Sequence, residues 1–293
     1  MQMNPVLKAV LLSWDFRVDV IIVLALAGTL FCRGWWRLRR QTRPLHAKTS
    51  HTRRQLGAVW RLISYLSGLI IIAIALMSAI DLLAGQYFFM HMIQHLLLVM
   101  IAPPLLLIAN PMPFMLWGLP DAWRRKLGKG LSQLLRKNAP FRQGLRSVTS
   151  PGLIWLIWVV SLIGWHDPGM YNAALRNDFV HDAEHLTFFL AAMLYWWLIT
   201  GAGPRIHKQF SLPGRIVFTI AAVPPNMALG VVLSFVNNPV YTYYLSAPRL
   251  WPIDVLTDQK IGGVIMWIPG SMMYLIAGLI LISRLVQSDK VTR

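Results

Sequence analysis

Seven times along the chain an apolar stretch runs far enough to enter or cross a bilayer before a turn signal or a basic cluster ends it. These stretches cover about 18–36, 62–83, 90–117, 151–165, 181–200, 216–236 and 261–283. A hydrocarbon layer about 30 Å thick takes roughly twenty apolar residues as a helix, and a helix satisfies its own backbone hydrogen bonds there. Only 13% of the residues are charged, against about 25% in ordinary soluble domains. The expectation is an all-α polytopic membrane protein with seven transmembrane helices, forming one integral membrane domain over 1–293.

The formal net charge of +17 would suit a nucleic-acid partner if the basic residues shared a soluble face. Instead, with those spans, 23 of the 28 Lys and Arg fall in alternate loops (33–61, 124–146, 205–215 and 284–293), and nine of the eleven acids fall across the membrane from them. This is the positive-inside bias. It predicts an N-terminus outside, a C-terminus in the cytoplasm, lipids as the surroundings and no nucleic acid. Positive charge follows the first apolar run, so that run reads as a retained anchor and not as a signal peptide. The one cysteine, Cys32, allows neither an internal disulfide nor a paired-cysteine metal site. Any metal chemistry must use histidine, carboxylate or methionine.

Histidine is where the pattern sharpens. His91 and His95 open the third apolar stretch, and His181 and His185 open the fifth. Four residues apart on a helix, each pair projects from one face, separated by about 6 Å along the axis. His166 ends the fourth stretch in the turn signal His166-Asp167-Pro168-Gly169, so five of the eight histidines are expected at one depth. Polar groups inside a membrane are costly and mark functional sites. Neutral imidazole suits copper, zinc and iron, and thioether selects Cu(I). Met90 and Met92 flank His91, and Asp81, Asp182 and Glu184 supply carboxylates to orient or neutralise such a site. The predicted metal ligands are therefore His91, His95, His166, His181 and His185.

Other readings stay open. The string His181-x-x-Glu184-His185 also fits the inverted zinc-protease pattern, with the glutamate as general base and zinc as the metal. Haem ligation by facing histidines is a further option. A copper permease would need polar groups through the full membrane depth. Most of the fourteen methionines lie within spans and read as flexible packing. Trp35, Trp117, Trp165, Trp196 and Trp267 read as interfacial anchors, Gly262-Gly263 as close helix packing, and 119–150 as an amphipathic excursion. Pro103-Pro104 and Pro224-Pro225 should kink their helices. Asp254 and Asp258 either face the site or solvate a loop, the second being the simpler reading.

The strings His91-Met92-Ile93-Gln94-His95-Leu96-Leu97-Leu98, Ala102-Pro103-Pro104-Leu105-Leu106, Trp165-His166 and His181-Asp182-Ala183-Glu184-His185-Leu186-Thr187-Phe188 occur in this order. They are followed by Pro248-Arg249-Leu250-Trp251, Asp258-Gln259-Lys260-Ile261-Gly262-Gly263 and Met266-Trp267-Ile268-Pro269-Gly270. Together they resemble the polytopic CtaG family of cytochrome c oxidase assembly factors, not the single-span copper chaperone that uses cysteines. The resemblance runs from the second stretch to the seventh and departs at Lys260, where a second glutamine is expected. It implies a bacterial inner-membrane protein, not an enzyme, that acts with haem–copper oxidase subunits at the copper-delivery step. The positions matching the family's histidine motifs are His91, His95, His166, His181 and His185.

Overall fold

A computed structural model describes residues 12–42, 57–136, 138–203, 206–207 and 210–291. Part of the expected basic loop 37–61, with Arg43, Lys48, Arg53 and Arg54, lies outside them, as do Lys137, Arg205, Lys208 and Arg293. The described residues are helical, with no strand among them. In chain order the helices are α1 (Val18–Thr42), α2 (Val59–Met77), α3 (Ala79–Ala84), α4 (Phe88–Leu96), α5 (Ala102–Ile108), α6 (Pro111–Gly118), α7 (Asp121–Leu134) and α8 (Pro140–Val148). Then come α9 (Pro151–Trp165), α10 (Pro168–Arg176), α11 (Asp178–Thr200), α12 (Leu212–Ile220), α13 (Val223–Phe235) and α14 (Val255–Val291). A π-helical turn, Leu97–Ile101, joins α4 to α5.

Five helical stretches are long and apolar enough to cross a membrane: Val18–Gln41, Val59–Met77, Phe88–Ile108, Leu212–Phe235 and Val255–Gln287. The expected count was seven, and the two others fall short for physical reasons. α9 has 15 residues, about 22 Å of helix; it meets α8 at a 50° bend. α11 has 23 residues, but Asp178, Asp182, Glu184 and two histidines fill its first turns. The expected 90–117 helix also divides. It ends at Ile108, Asn110 turns the chain in the left-handed region (φ 54°), and α6 starts afresh at Pro111. Side chains such as Ile22, Leu26, Val160, Leu186, Val217, Leu279 and Ile280 are exposed, as a lipid-facing surface requires.

The proline pairs do not break their spans, because tryptophan and tyrosine take over the released carbonyls. In an unbroken α-helix position 103 would donate to Val99, but Pro103 has no N–H. The π turn absorbs the mismatch with a bond from the Ala102 N–H to Leu97 O, and the Trp196 indole donates to Val99 O at 2.9 Å. Pro225 likewise leaves Ala221 O without its helical donor, and Trp155 donates to it at 3.0 Å. Tyr195 donates to Phe218 O at 2.8 Å beside the same break. An unsatisfied carbonyl in an apolar interior costs several kcal/mol, so these aromatics hold the two spans together at their prolines. Trp196 is thus buried, as is Trp35, whose indole donates to Ala58 O at 3.3 Å; both pack within the protein.

Close contacts fix α4, which carries the first histidine pair, against α14. A Cβ at Gly262 would lie 2.2 Å from the Phe88 ring, and one at Gly263 would lie 2.7 Å from Ser234 N on α13. Only hydrogen fits at either place. The core between α4, α9, α11 and α14 is aromatic: Phe88, Trp158, Phe188, Tyr195, Trp196 and Tyr274 pack in one buried cluster. A second cluster, with Phe31, Tyr65, Leu106 and Phe114, ties α1 and α2 to α5 and α6.

Candidate metal centre

α4 begins where a buried carboxylate holds it. Asp258, on α14, accepts from the Phe88 and Phe89 N–H groups at 3.0 and 2.9 Å, and Arg249 pairs with it at 2.8 Å. A negative charge at a helix N-terminus satisfies otherwise orphaned donors and complements the helix dipole. Asp258 is fully buried, so it anchors the helix beneath the site and does not solvate a loop. Exposed Asp254 caps α14 through Leu256 and Thr257. α11 begins on Asn177, whose side chain accepts from Phe179 and Val180.

The two capped helices run side by side in the same direction, because their histidines meet rung by rung. The rings of His91 and His181 are 5.2 Å apart, and those of His95 and His185 are 5.4 Å apart. Within each pair the rings are 4.2 Å apart. Nitrogens of His91, His95 and His185 lie within 4.8 Å of one another, as do ligand atoms of His91, His181 and Glu184. Glu184 is fully buried, with its oxygens 3.9 Å from His91 Nε2 and 3.6 Å from His95 Nε2, too far for hydrogen bonds.

One hydrogen-bond chain fixes the His91 tautomer. Tyr244 donates to Ala84 O at 2.9 Å, and a carbonyl can only accept. The Tyr244 oxygen, 3.2 Å from Tyr171, must therefore receive the Tyr171 hydrogen. Tyr171, 2.7 Å from His91 Nδ1, must then receive that nitrogen's hydrogen. His91 carries its proton on Nδ1 and turns a bare Nε2 lone pair toward Glu184. His166 is fixed the same way, with Nδ1 donating to Leu162 O at 2.8 Å. The Nε2 atoms of His91, His166 and His181, both nitrogens of His95 and His185, and both Glu184 oxygens are buried. None has a hydrogen-bond partner among the described residues.

Burying so many unpartnered polar atoms is costly, and a cation among the imidazole lone pairs and carboxylate oxygens offsets that cost. Neutral imidazoles with one carboxylate form a donor set for a late first-row divalent metal or copper. The chain's residues therefore fit a metal ion, with His91, His95, His181, His185 and Glu184 as the groups that converge.

The remaining predicted residues sit elsewhere. Asp182 grips Arg17 with both oxygens, at 2.6 and 2.8 Å, on the α1 side of α11. Asp81 accepts from Gln94, which also donates to Ala75 O, so it steadies α4 from another face and orients no imidazole. Met90 is half-buried and is not among the converging ligand atoms. Met92 lines a cavity beside His95 and His166, and the His166 ring is 6.1 Å from that of His95. Tyr171 and Tyr244 were not foreseen, and Arg249 stood only in the string Pro248-Arg249-Leu250-Trp251, with no role assigned. The cluster Tyr241-Thr242-Tyr243-Tyr244 in a polar loop was the available signal for one of them; Tyr171 had none.

Among known proteins, the uncharacterized proteins Mb0105 of Mycobacterium bovis and MT0111 of Mycobacterium tuberculosis are each 25% identical over 221 residues, covering 73% of this chain and 32% of theirs. The uncharacterized protein ML1998 of Mycobacterium leprae is 23% identical over 221 residues, with 73% and 33% covered. The chain spans about a third of the length of these curated relatives. No solved structure matches. A family model described as cytochrome c oxidase caa3 assembly factor matches residues 29–288. The chain belongs to that family, Caa3_CtaG.

Proposed function

We propose that this chain serves oxidase assembly by holding copper in the cluster of His91, His95, His181, His185 and Glu184 and handing it to subunits of a haem–copper oxidase. One observation carries the reading: imidazole and carboxylate atoms from two parallel helices converge in a buried place and make no hydrogen bond among the described residues. The fixed His91 tautomer supports it, since Nε2 is ready to ligate without losing a proton. Glu184 supplies one negative charge, so a bound ion keeps less net charge in an apolar surrounding.

The proposed topology has seven spans, with α9 and α11 completing the five apolar ones and the basic helices α7 and α8 in the cytoplasm. The cluster then opens toward the outer face of a bacterial inner membrane, where the copper would be handed on. α11 tolerates its charges because Arg17 neutralises Asp182, and the cluster accommodates Glu184.

Metal analysis of detergent-purified protein loaded in turn with Cu(I), Cu(II) and Zn(II) tests this. Near-stoichiometric Cu(II) should be lost in the double variant His91→Ala/His95→Ala. Cu(II) retained by that variant would sink the assignment. Tight zinc with no copper would favour the hydrolase reading of His181-x-x-Glu184-His185. Copper flux in proteoliposomes would favour a permease.

A further inference from the structure

Beyond the histidine cluster, along α4 and away from its N-terminus, the packing leaves a cavity of about 40 Å³. That is several times the smallest space that holds a water. Its wall includes Met92 from α4, Met100 from the π turn and Met266 from α14, together with His95 and His166. All five side chains are buried. We propose that this cavity is a second metal site, selective for a soft monovalent ion such as Cu(I), formed by the three thioethers with His166 and, in turn with the cluster, His95. The proposal extends the copper reading of the cluster and rests on it for the identity of the cargo.

Methionines in a helical core ordinarily serve as adaptable packing, and packing alone would explain them here. It does not explain the imidazoles. His166 donates Nδ1–H to Leu162 O, so its Nε2 is a bare acceptor, buried and with no partner among the described residues. Neither nitrogen of His95 has one. The two ring centres are 6.1 Å apart. Two imidazoles that share one ion can have ring centres up to about 6 Å apart, from two bonds of about 2 Å and the ring radii, so one ion is within reach of both rings.

The two sites differ in charge. The cluster has Glu184 and can neutralise part of a divalent ion. The cavity wall contains no carboxylate, so a divalent ion there would be poorly compensated, while thioether and imidazole together suit Cu(I). His95 belongs to both. A neutral imidazole has one lone pair, so His95 serves one site at a time. A ring flip of this single side chain passes an ion from the cluster to the cavity.

The test uses the full chain, purified anaerobically in detergent, with Ag(I) as a redox-inert soft probe and Co(II) as a divalent probe of the cluster. The unmodified protein should bind two Ag(I) and one Co(II) per chain. In the presence of Cu(I), X-ray absorption should show sulfur at about 2.3 Å from the metal, a normal metal–sulfur distance. The near-isosteric variant Met92→Leu/Met100→Leu/Met266→Leu should bind one Ag(I), lose the sulfur signal and keep its Co(II) spectrum, which also shows that it is folded. His166→Phe should lose the second Ag(I) in the same way. One Ag(I) with no sulfur in the unmodified protein, or two in the triple variant, overturns the second site while leaving the cluster intact. Binding of neither probe overturns both.

Discussion

The hydroxyl hydrogen of Tyr244 points at the Ala84 carbonyl, and that one constraint propagates through Tyr171 to set which nitrogen of His91 is bare. Partners of this kind commonly govern metal affinity by 10- to 100-fold. Tyr171→Phe keeps the ring but leaves the His91 Nδ1–H without an acceptor, so copper affinity should fall about 10- to 100-fold. Competition against a chromophoric chelator measures the change, and an unaltered affinity would show that His91 is oriented by something else. Asp182→Asn should leave copper affinity unchanged in the same assay, since Asp182 faces Arg17. At this scale the histidines were legible, because an i,i+4 spacing needs no tertiary information. The carboxylates were not all legible. Asp182 and Glu184 are two residues apart and look equivalent in sequence, but on a helix they point about 200° apart, and only the packing decides which one faces the histidines.

An element is placed by what holds its ends, and α4 is held by Asp258 across 170 positions of sequence. Asp258→Ala would strip two backbone N–H groups of their acceptor and leave the largely buried Arg249 guanidinium without its carboxylate. Breaking a buried pair by removing one partner typically costs about 3–5 kcal/mol. Thermal unfolding in detergent should register a loss of that order, and copper retention should weaken with it because the His91 rung shifts relative to His181. A loss below about 1 kcal/mol, in the range of an exposed pair, would show that α4 is seated mainly by its contact with Gly262. The proline pairs belong to this scale too. Sequence located both breaks but not their repair, since Trp196 lies 97 positions from Val99 and Trp155 lies 66 from Ala221. Donors that far away leave no periodic trace.

The whole molecule has a lipid-facing surface and, outside the long helices, a second amphipathic surface on α7 and α8. Membrane character was plain from hydropathy, whereas the number of spans was harder to read because α11 carries Asp178, Asp182, Glu184 and two histidines in its first turns, which lower its apolar score. On α7, Trp123, Leu127, Leu131 and Leu134 form one helical stripe, and on α8 Phe141, Leu145 and Val148 form another. Trp123, Leu127, Phe141 and Val148 are exposed, flanked by Arg124, Arg125, Lys126, Lys129 and Arg146. Apolar stripes edged with basic residues lie in the headgroup layer and prefer anionic lipid, at roughly 1 kcal/mol per basic residue near the surface. Nanodiscs expose both membrane faces to trypsin, so cleavage after Arg124, Arg125, Lys126 and Lys129 reports whether α7 is embedded. Protection should be greater with anionic than with zwitterionic lipid. It should weaken at 1 M salt, where the screening length falls to about 3 Å, and fall further in Trp123→Gln/Phe141→Gln. Equal cleavage in both lipids, unaffected by that double substitution, would mean that α7 and α8 stand clear of the bilayer and that their apolar stripes face something other than lipid.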